Sequence, residues 1–355
     1  MHGTSLKIAI LAPPYLPVPP PLYGGTEKIV SLLTEGLVEL GHEVTLFASG
    51  DSTTSATLSS LYPKALGNSG FLKGNTEKPL AHYHACYARA EEFDIIHSHG
   101  QYLSLPEAAN LKTPVVFTWH GSFYPGETTE EKRETLRTYK HLNYISISNN
   151  QRQGMPELHY VATVYNALDL SEYRFVDENA GDYLLWIGRM SPKKGALEAI
   201  QVAKKTGIRL EMAATIDPID REFFETSIKP EIDGEHVIYH GEIGHSALSE
   251  LYGGALATLY PISWHEPFGL VMAESMACGT PVIAFNIGSV PEIVVDQKTG
   301  FVIEPSEGVD GLVEAVKKTG SISRSDCRKH VETHYTKERM VRDYEAVYRK
   351  LTDTR

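Results

Sequence analysis

One recurrence constrains this chain more than any other feature. A short apolar run is followed by a helical pattern and then another apolar run, over most of its 355 residues. Lys7–Leu11 is apolar after its lysine and runs into prolines, which reads as a buried first strand. A Pro-rich loop over residues 12–23 leads to Gly24-Gly25-Thr26-Glu27. Behind it Ile29, Leu32, Leu33 and Leu37 repeat at spacings of three and four, and Gly41 is placed to end that helix. Residues 44–48 read as the second strand, and further strands are read at 94–97, 114–118 and 144–148. A charged stretch over 171–182 marks a break. Strands then resume at 183–187, 210–214, 237–240, Ala257–Tyr260 and 281–284, with helices at 195–206 and 269–277, the second stopped by Gly279. Met340, Tyr344, Val347 and Leu351 make a last helical pattern over 337–351 with no strand behind it.

Strands that alternate with helices call for a parallel sheet covered on both faces. A chain of 355 residues also exceeds what one hydrophobic core readily serves. The expected fold class is therefore α/β, with two halves of similar size in tandem. The boundary is expected at residues 168 and 169, giving domains 1–168 and 169–336 and a closing helix within 337–355.

Charge narrows the partners. The formal net charge is −12. Residues 1–168 carry −3 of it and the remainder −9. Neither half offers a bulk field for nucleic acid or anionic lipid, so any anionic ligand must be held by a local cluster of cations and dipoles. No run of 18 apolar residues is present, so no membrane span is expected, and at most weak peripheral association. The N-terminal apolar run is too short for a signal peptide. The three cysteines, Cys86, Cys278 and Cys327, form neither a disulfide framework nor a zinc pattern, which fits a reducing cytoplasm.

Four groups of residues could carry chemistry. Gly24-Gly25-Thr26-Glu27 opens a helix after the first strand, where glycines let a ligand approach backbone N–H groups. It is not the Gly-x-Gly-x-x-Gly dinucleotide fingerprint, which argues against an NAD oxidoreductase. Gly188-Arg189-Met190-Ser191-Pro192-Lys193-Lys194-Gly195 directly follows a strand, and strand ends are where α/β sheets bind ligands. Arg189 offers a planar fork and Lys194 a point charge, both suited to a diphosphate; the plain alternative is a solvated loop. In the third group, Glu266 precedes a helix beginning near Phe268-Gly269-Leu270, and Glu274 follows on that helix. First-turn amides favour an anion, whereas a carboxylate favours sugar hydroxyls, so a ligand with phosphate and sugar parts is implied. Helix capping by Glu266 and a solvent-facing Glu274 is the alternative.

The fourth group is histidine. His97-Ser98-His99-Gly100 and Trp119-His120-Gly121 fall at strand ends. The rings of His97 and His99 are expected to point opposite ways, which with the lack of acidic or Cys partners argues against a metal. His120 suits either a substrate-facing role or a hydrogen-bonded core position. Cys278, between Ala277 and Gly279, reads as a small buried residue.

Together these residues resemble family 4 of the retaining glycosyltransferases, with the GT-B fold. The resemblance covers nearly the whole chain. It rests on Glu266-x7-Glu274, then Ala277-Cys278-Gly279-Thr280-Pro281-Val282-Ile283-Ala284, Gly288-Ser289-Val290-Pro291-Glu292 and Thr299-Gly300-Phe301. Gly188-Arg189, Lys194-Gly195 and Val164-Tyr165-Asn166 add to it. The resemblance implies two Rossmann-like domains facing an interdomain cleft, with the last helix crossing back to the N-terminal domain. It implies transfer of a hexose from a nucleotide-diphosphate sugar, most commonly UDP-linked, to a glycan, lipid-linked or small-molecule acceptor, without a metal or other cofactor. Surface polysaccharide or glycoconjugate assembly is the usual setting. Carried over by motif, Arg189 and Lys194 bind the diphosphate, Glu274 accepts from ribose hydroxyls, and Glu266 with the amides around Phe268, Gly269 and Leu270 holds the donor sugar. Gly25 admits the phosphates, Ile243 supplies backbone contacts to the base, and His120 lies beside the donor sugar. The segment Met212-Ala213-Ala214-Thr215-Ile216-Asp217 departs from the family's Gly-rich turn. A nucleotide-sugar epimerase and a non-catalytic sugar-nucleotide binder remain as alternatives on the same fold.

Overall fold

The computed structural model describes residues 4–22, 24–67, 76–100, 102–177 and 181–353. Tyr23 of the Pro-rich loop, part of the 67–87 loop, residues 178–180 of the charged stretch and residues 354–355 of the closing helix lie outside the described residues. The chain divides into two compact units: residues 1–166 with 337–355, and residues 167–336.

The first unit is built on a seven-stranded sheet in the order β3-β2-β1-β4-β5-β6-β7, every neighbouring pair parallel. Its strands are β1 (Lys7–Leu11), β2 (Glu43–Phe47), β3 (Thr57–Ser59), β4 (Ile95–Ser98), β5 (Val115–Thr118), β6 (Asn143–Ser146) and β7 (Tyr160–Thr163). The second unit repeats the plan with six parallel strands, β10-β9-β8-β11-β12-β13. These are β8 (Tyr183–Arg189), β9 (Arg209–Thr215), β10 (Val237–Tyr239), β11 (Ala257–Tyr260), β12 (Val282–Phe285) and β13 (Gly300–Ile303). In each sheet the earliest strand sits inside, and the order reverses on either side of it. That reversal leaves a crevice beyond the strand C-termini, between β1 and β4 in one unit and between β8 and β11 in the other.

Central strands form where the sequence is apolar on both faces. Ile8, Ala9, Ile10 and Leu11 of β1 are fully buried, as are Leu184, Leu185 and Trp186 of β8. The helix Gly25–Glu39 covers the first sheet with Ile29, Val30, Leu33 and Leu37, all fully buried. Each is worth about 1.5–3 kcal/mol in apolar burial. The helix Lys337–Thr352 belongs to the same unit. It buries Met340, Val341, Tyr344, Val347 and Tyr348, and its Lys337 pairs with Glu39 at 2.9 Å.

Candidate active site

The second unit gathers its site at the β8/β11 crevice. β8 ends at Arg189, and the chain turns through Pro192–Lys194 into the helix Ala196–Thr206. That turn is tied down on two sides. Trp186 Nε1 donates to the Lys194 carbonyl at 3.0 Å, and Ser263 N donates to the Lys193 carbonyl at 3.0 Å. Gly195 has φ +76, and a Cβ there would lie 2.1 Å from the Pro261 carbonyl oxygen, so only glycine lets the turn press against the end of β11.

The result is that Lys194 meets Glu266. Lys194 Nζ is ion-paired with Glu266 Oε2, with the two side chains 14% and 12% exposed. Tyr260 OH donates to the same carboxylate oxygen at 2.8 Å, and Lys194 Nζ lies 4.8 Å from the Trp264 ring centroid. Such a desolvated pair is held by geometry rather than by Coulomb attraction alone. Gly269 precedes the helix Leu270–Ala277, and Phe268 is buried against Tyr335 at 5.6 Å between ring centroids. Phe268 therefore offers this site its backbone, not its ring. The Gly288-Ser289 turn supports the loop from beneath: Ser289 N donates to the Glu266 carbonyl at 3.0 Å and Ser289 Oγ to the Phe268 carbonyl at 2.7 Å.

Glu274 is buried, not solvent-facing. Tyr173 OH donates to its Oε1 at 2.8 Å and Tyr252 OH to its Oε2 at 3.0 Å. Burial, and then the Glu274 charge, pushes both phenols well above their ordinary pKa, so both stay protonated and donate. Arg189 stands slightly apart. Its guanidinium faces Asp217 at 3.4 Å and Asp220 at 3.6 Å, both in the turn after β9. Burial raises the Asp220 carboxyl despite the nearby Arg189. Ile243 is half-buried in the loop between β10 and the helix His245–Gly254. Cys278 is fully buried and its thiol is pushed up to about 11 by burial, as befits a packing residue.

Gly25 and His120 belong to the first unit. Gly25 is the first residue of its helix, with the Gly24 carbonyl accepting from Lys28 N at 3.0 Å. Glu27, on the same first turn, is buried, and burial raises its carboxyl to about 7. Nothing in the sequence marks that residue apart from an ordinary first-turn acid. His120 lies two residues past β5. Gln151 Nε2 donates to the Trp119 and Gly121 carbonyls, each at 2.8 Å, so the peptide on either side of His120 is clamped by one buried amide.

The expectation that His97 and His99 point opposite ways is wrong. Side chains alternate along a strand, so residues two apart share a face. Their ring centroids are 4.0 Å apart, and His99 Nδ1 reaches His120 Nε2 at 2.9 Å. His97 is engaged at both nitrogens, by Tyr348 OH at 2.6 Å and Thr118 Oγ1 at 2.8 Å. Among the described residues, no group of three or more His, Cys, Asp or Glu is placed to hold a metal ion. Nor is any helix among them long and apolar enough to cross a membrane.

Two doubly wound parallel sheets, one with a cation–carboxylate junction at its switch point, define a protein of the GT-B class. Residues 174–332 match the glycosyl transferases group 1 model, and residues 23–172 the glycosyltransferase family 4 model. The chain belongs to the family-4-like group 1 glycosyltransferases, and it is a glycosyltransferase. An uncharacterized glycosyltransferase of Methanocaldococcus jannaschii is 25% identical, over 84% of this chain and 85% of its own. Among solved structures, sucrose-phosphate synthase from Thermosynechococcus elongatus superposes with a TM-score of 0.82 at 19% identity, covering 99% of this chain and 100% of that one. HepE of Anabaena, solved with UDP and glucose, gives 0.73 at 16% identity, covering 96% and 98%. At these identities both likenesses concern the fold.

Proposed function

We propose that this glycosyltransferase moves a hexose from a UDP-linked sugar to an acceptor hydroxyl, with retention of anomeric configuration and without a metal. What supports this reading is the Lys194–Glu266 junction at the β8/β11 crevice, with Arg189 on the same turn. Breaking the sugar–phosphate bond builds negative charge on the diphosphate and positive charge on the sugar. Arg189, Lys194 and the first-turn amides around Phe268, Gly269 and Leu270 meet the growing anion, the role a divalent ion plays elsewhere. Glu266 holds the sugar hydroxyls. Glu274 takes the ribose hydroxyls, its carboxylate held in place by the Tyr173 and Tyr252 hydroxyls. Backbone near Ile243 reads the base, Gly25 lets the phosphates approach the first loop, and His120 lies by the reacting carbon. Front-face attack, with the leaving phosphate as base, accounts for retention. UDP as the carrier is supported by its presence in the HepE complex. The acceptor is a glycan, a lipid-linked sugar or a small molecule, in polysaccharide or glycoconjugate assembly. A cytoplasmic setting fits three buried free thiols.

The test is UDP release from a panel of UDP-sugars with candidate acceptors, and calorimetry with each nucleotide sugar. Binding and turnover are expected; no nucleotide-sugar binding would overturn the reading. Arg189→Ala and Lys194→Ala should each lower kcat about 10²–10³-fold with the fold intact. Chelator should leave the rate unchanged, and strong inhibition would restore a metal to the mechanism.

A further inference from the structure

We propose that His99 is a positioning residue that fixes the tautomer of His120, so that His120 presents Nδ1–H outward as a hydrogen-bond donor. The placement of His120 beside the sugar nucleotide rests on the function proposed above; the tautomer does not.

His99 is held by the sheet. It follows β4 directly, and its backbone N–H donates to the Leu11 carbonyl at 2.9 Å, continuing the β1–β4 ladder. Its side chain is packed between two imidazoles, with centroids 4.0 Å from His97 and 5.2 Å from His120, the latter stacked at 21°. The short contact joins nitrogen to nitrogen, His99 Nδ1 to His120 Nε2 at 2.9 Å. Between two neutral imidazoles one nitrogen donates and the other accepts.

Both rings are neutral at pH 7. Burial lowers His99 well below its usual value and His120 to about 4. Two arrangements then remain. If His120 Nε2–H donates to His99 Nδ1, the proton on His99 must sit on Nε2. That atom is buried and has no hydrogen-bond partner. If instead His99 Nδ1–H donates to His120 Nε2, the unpartnered atom is a bare lone pair. Orphaned buried N–H groups are rarer than under-satisfied acceptors. The second arrangement is favoured, and it puts the remaining proton of His120 on Nδ1. His97 cannot take over this work, because Tyr348 and Thr118 already engage both its nitrogens. Gln151 fixes the peptides flanking His120, so ring rotation and proton position are the freedoms left for His99 to set.

The chemical consequence is specific. Through Nδ1–H, His120 donates to an oxygen of the bound ligand without carrying charge. It cannot accept the proton of an attacking hydroxyl there, so it recognises rather than acts as base.

The test uses the full chain labelled with 15N-histidine, with long-range proton–nitrogen correlations of the ring nitrogens and His120→Gln for assignment. Wild type should show His120 protonated at Nδ1 and bare at Nε2. His99→Leu should lose that single tautomer. His99→Asn, whose amide N–H stands where Nδ1–H stood, should retain it. In turnover with the sugar nucleotide, His99→Leu should lower kcat/KM about tenfold, the worth of one oriented hydrogen bond, and His99→Asn should restore most of the loss. An Nε2–H tautomer in wild type, or an unchanged His120 signature in His99→Leu, would overturn the proposal. Should His99→Leu fail to fold, the wild-type and His99→Asn spectra still decide. A wild type that transfers no sugar would count against the proposed function alone, since the tautomer is read without turnover.

Discussion

Buried histidine sets the acid response of this protein. His82 is 2% exposed, with Nε2 against the Ala12 carbonyl at 3.0 Å, and burial lowers its pKa to about 4. His120 is lowered to about 4, and His97 and His99 lie well below the usual value. A group whose folded pKa is depressed binds more protons unfolded than folded in the window between the two values. For these histidines that window opens near an unfolded pKa of about 6.5 and closes near the folded one. Stability should therefore fall from about pH 6.5 towards 4 through the histidines, with His82 alone contributing about 3 kcal/mol of the loss, while Glu27, raised to about 7 by burial, takes up its proton in the folded state first and offsets a comparable part of that loss over the same window. Urea unfolding midpoints across pH 4–8 measure it. His82→Gln should flatten part of the slope, and an unchanged slope would remove His82 from the account. The tyrosines on Glu274 show the same physics in the other direction, since burial keeps them protonated and therefore donating.

At the level of elements, the strands that the sequence did not disclose share one property. β3, β7 and β13 all lie at sheet edges. Thr57–Ser59 is three residues long, and all four residues of Tyr160–Thr163 are half-buried. An edge strand has one neighbour and partial cover, so it does not demand a continuous apolar run and local pattern need not separate it from loop, although the fourth edge strand, β10, was legible at 237–240. Central strands such as Lys7–Leu11 and Ala257–Tyr260 stand out because burial on both faces demands apolar side chains. The junction after β8 gives a test at this scale. Gly195 and Gly207 bracket one helix with φ of +76 and +70, but only Gly195 is crowded, whereas nothing lies within 4 Å of a Cβ on Gly207. Gly207→Ala should cost only the backbone penalty, about 1 kcal/mol. Gly195→Ala must also displace the Pro261 carbonyl, so its melting temperature should fall further and its kcat should drop with the displaced Lys194. Equal melting temperatures for the two variants would contradict the close packing of this turn.

For the whole molecule, a net charge of −12 coexists with a cationic turn at Arg189 and Lys194. On the proposed function, recognition of the diphosphate rests locally on this turn, and salt should weaken nucleotide binding less than it weakens a polyanion-binding surface. UDP at about one hundred times its Kd should add roughly 2.7 kcal/mol to the stability of the unit that binds it. The melting temperature should rise with UDP concentration and fail to rise in Lys194→Ala; a rise of equal size in that variant would place the nucleotide elsewhere. Strand–helix alternation, the doubly wound class and the order of the motifs were determined by the sequence alone, because periodicity and turn chemistry act between near neighbours in the chain. Only the tertiary structure decided that Lys194 and Glu266, 72 residues apart, would form an ion pair, and that Tyr173 would reach Glu274 across 101 residues. It likewise brought His99, 21 residues before His120, into line with that ring. Such contacts depend on which strands become neighbours at the reversal of sheet order, and that choice is made by the packing of the whole sheet, which no local pattern encodes.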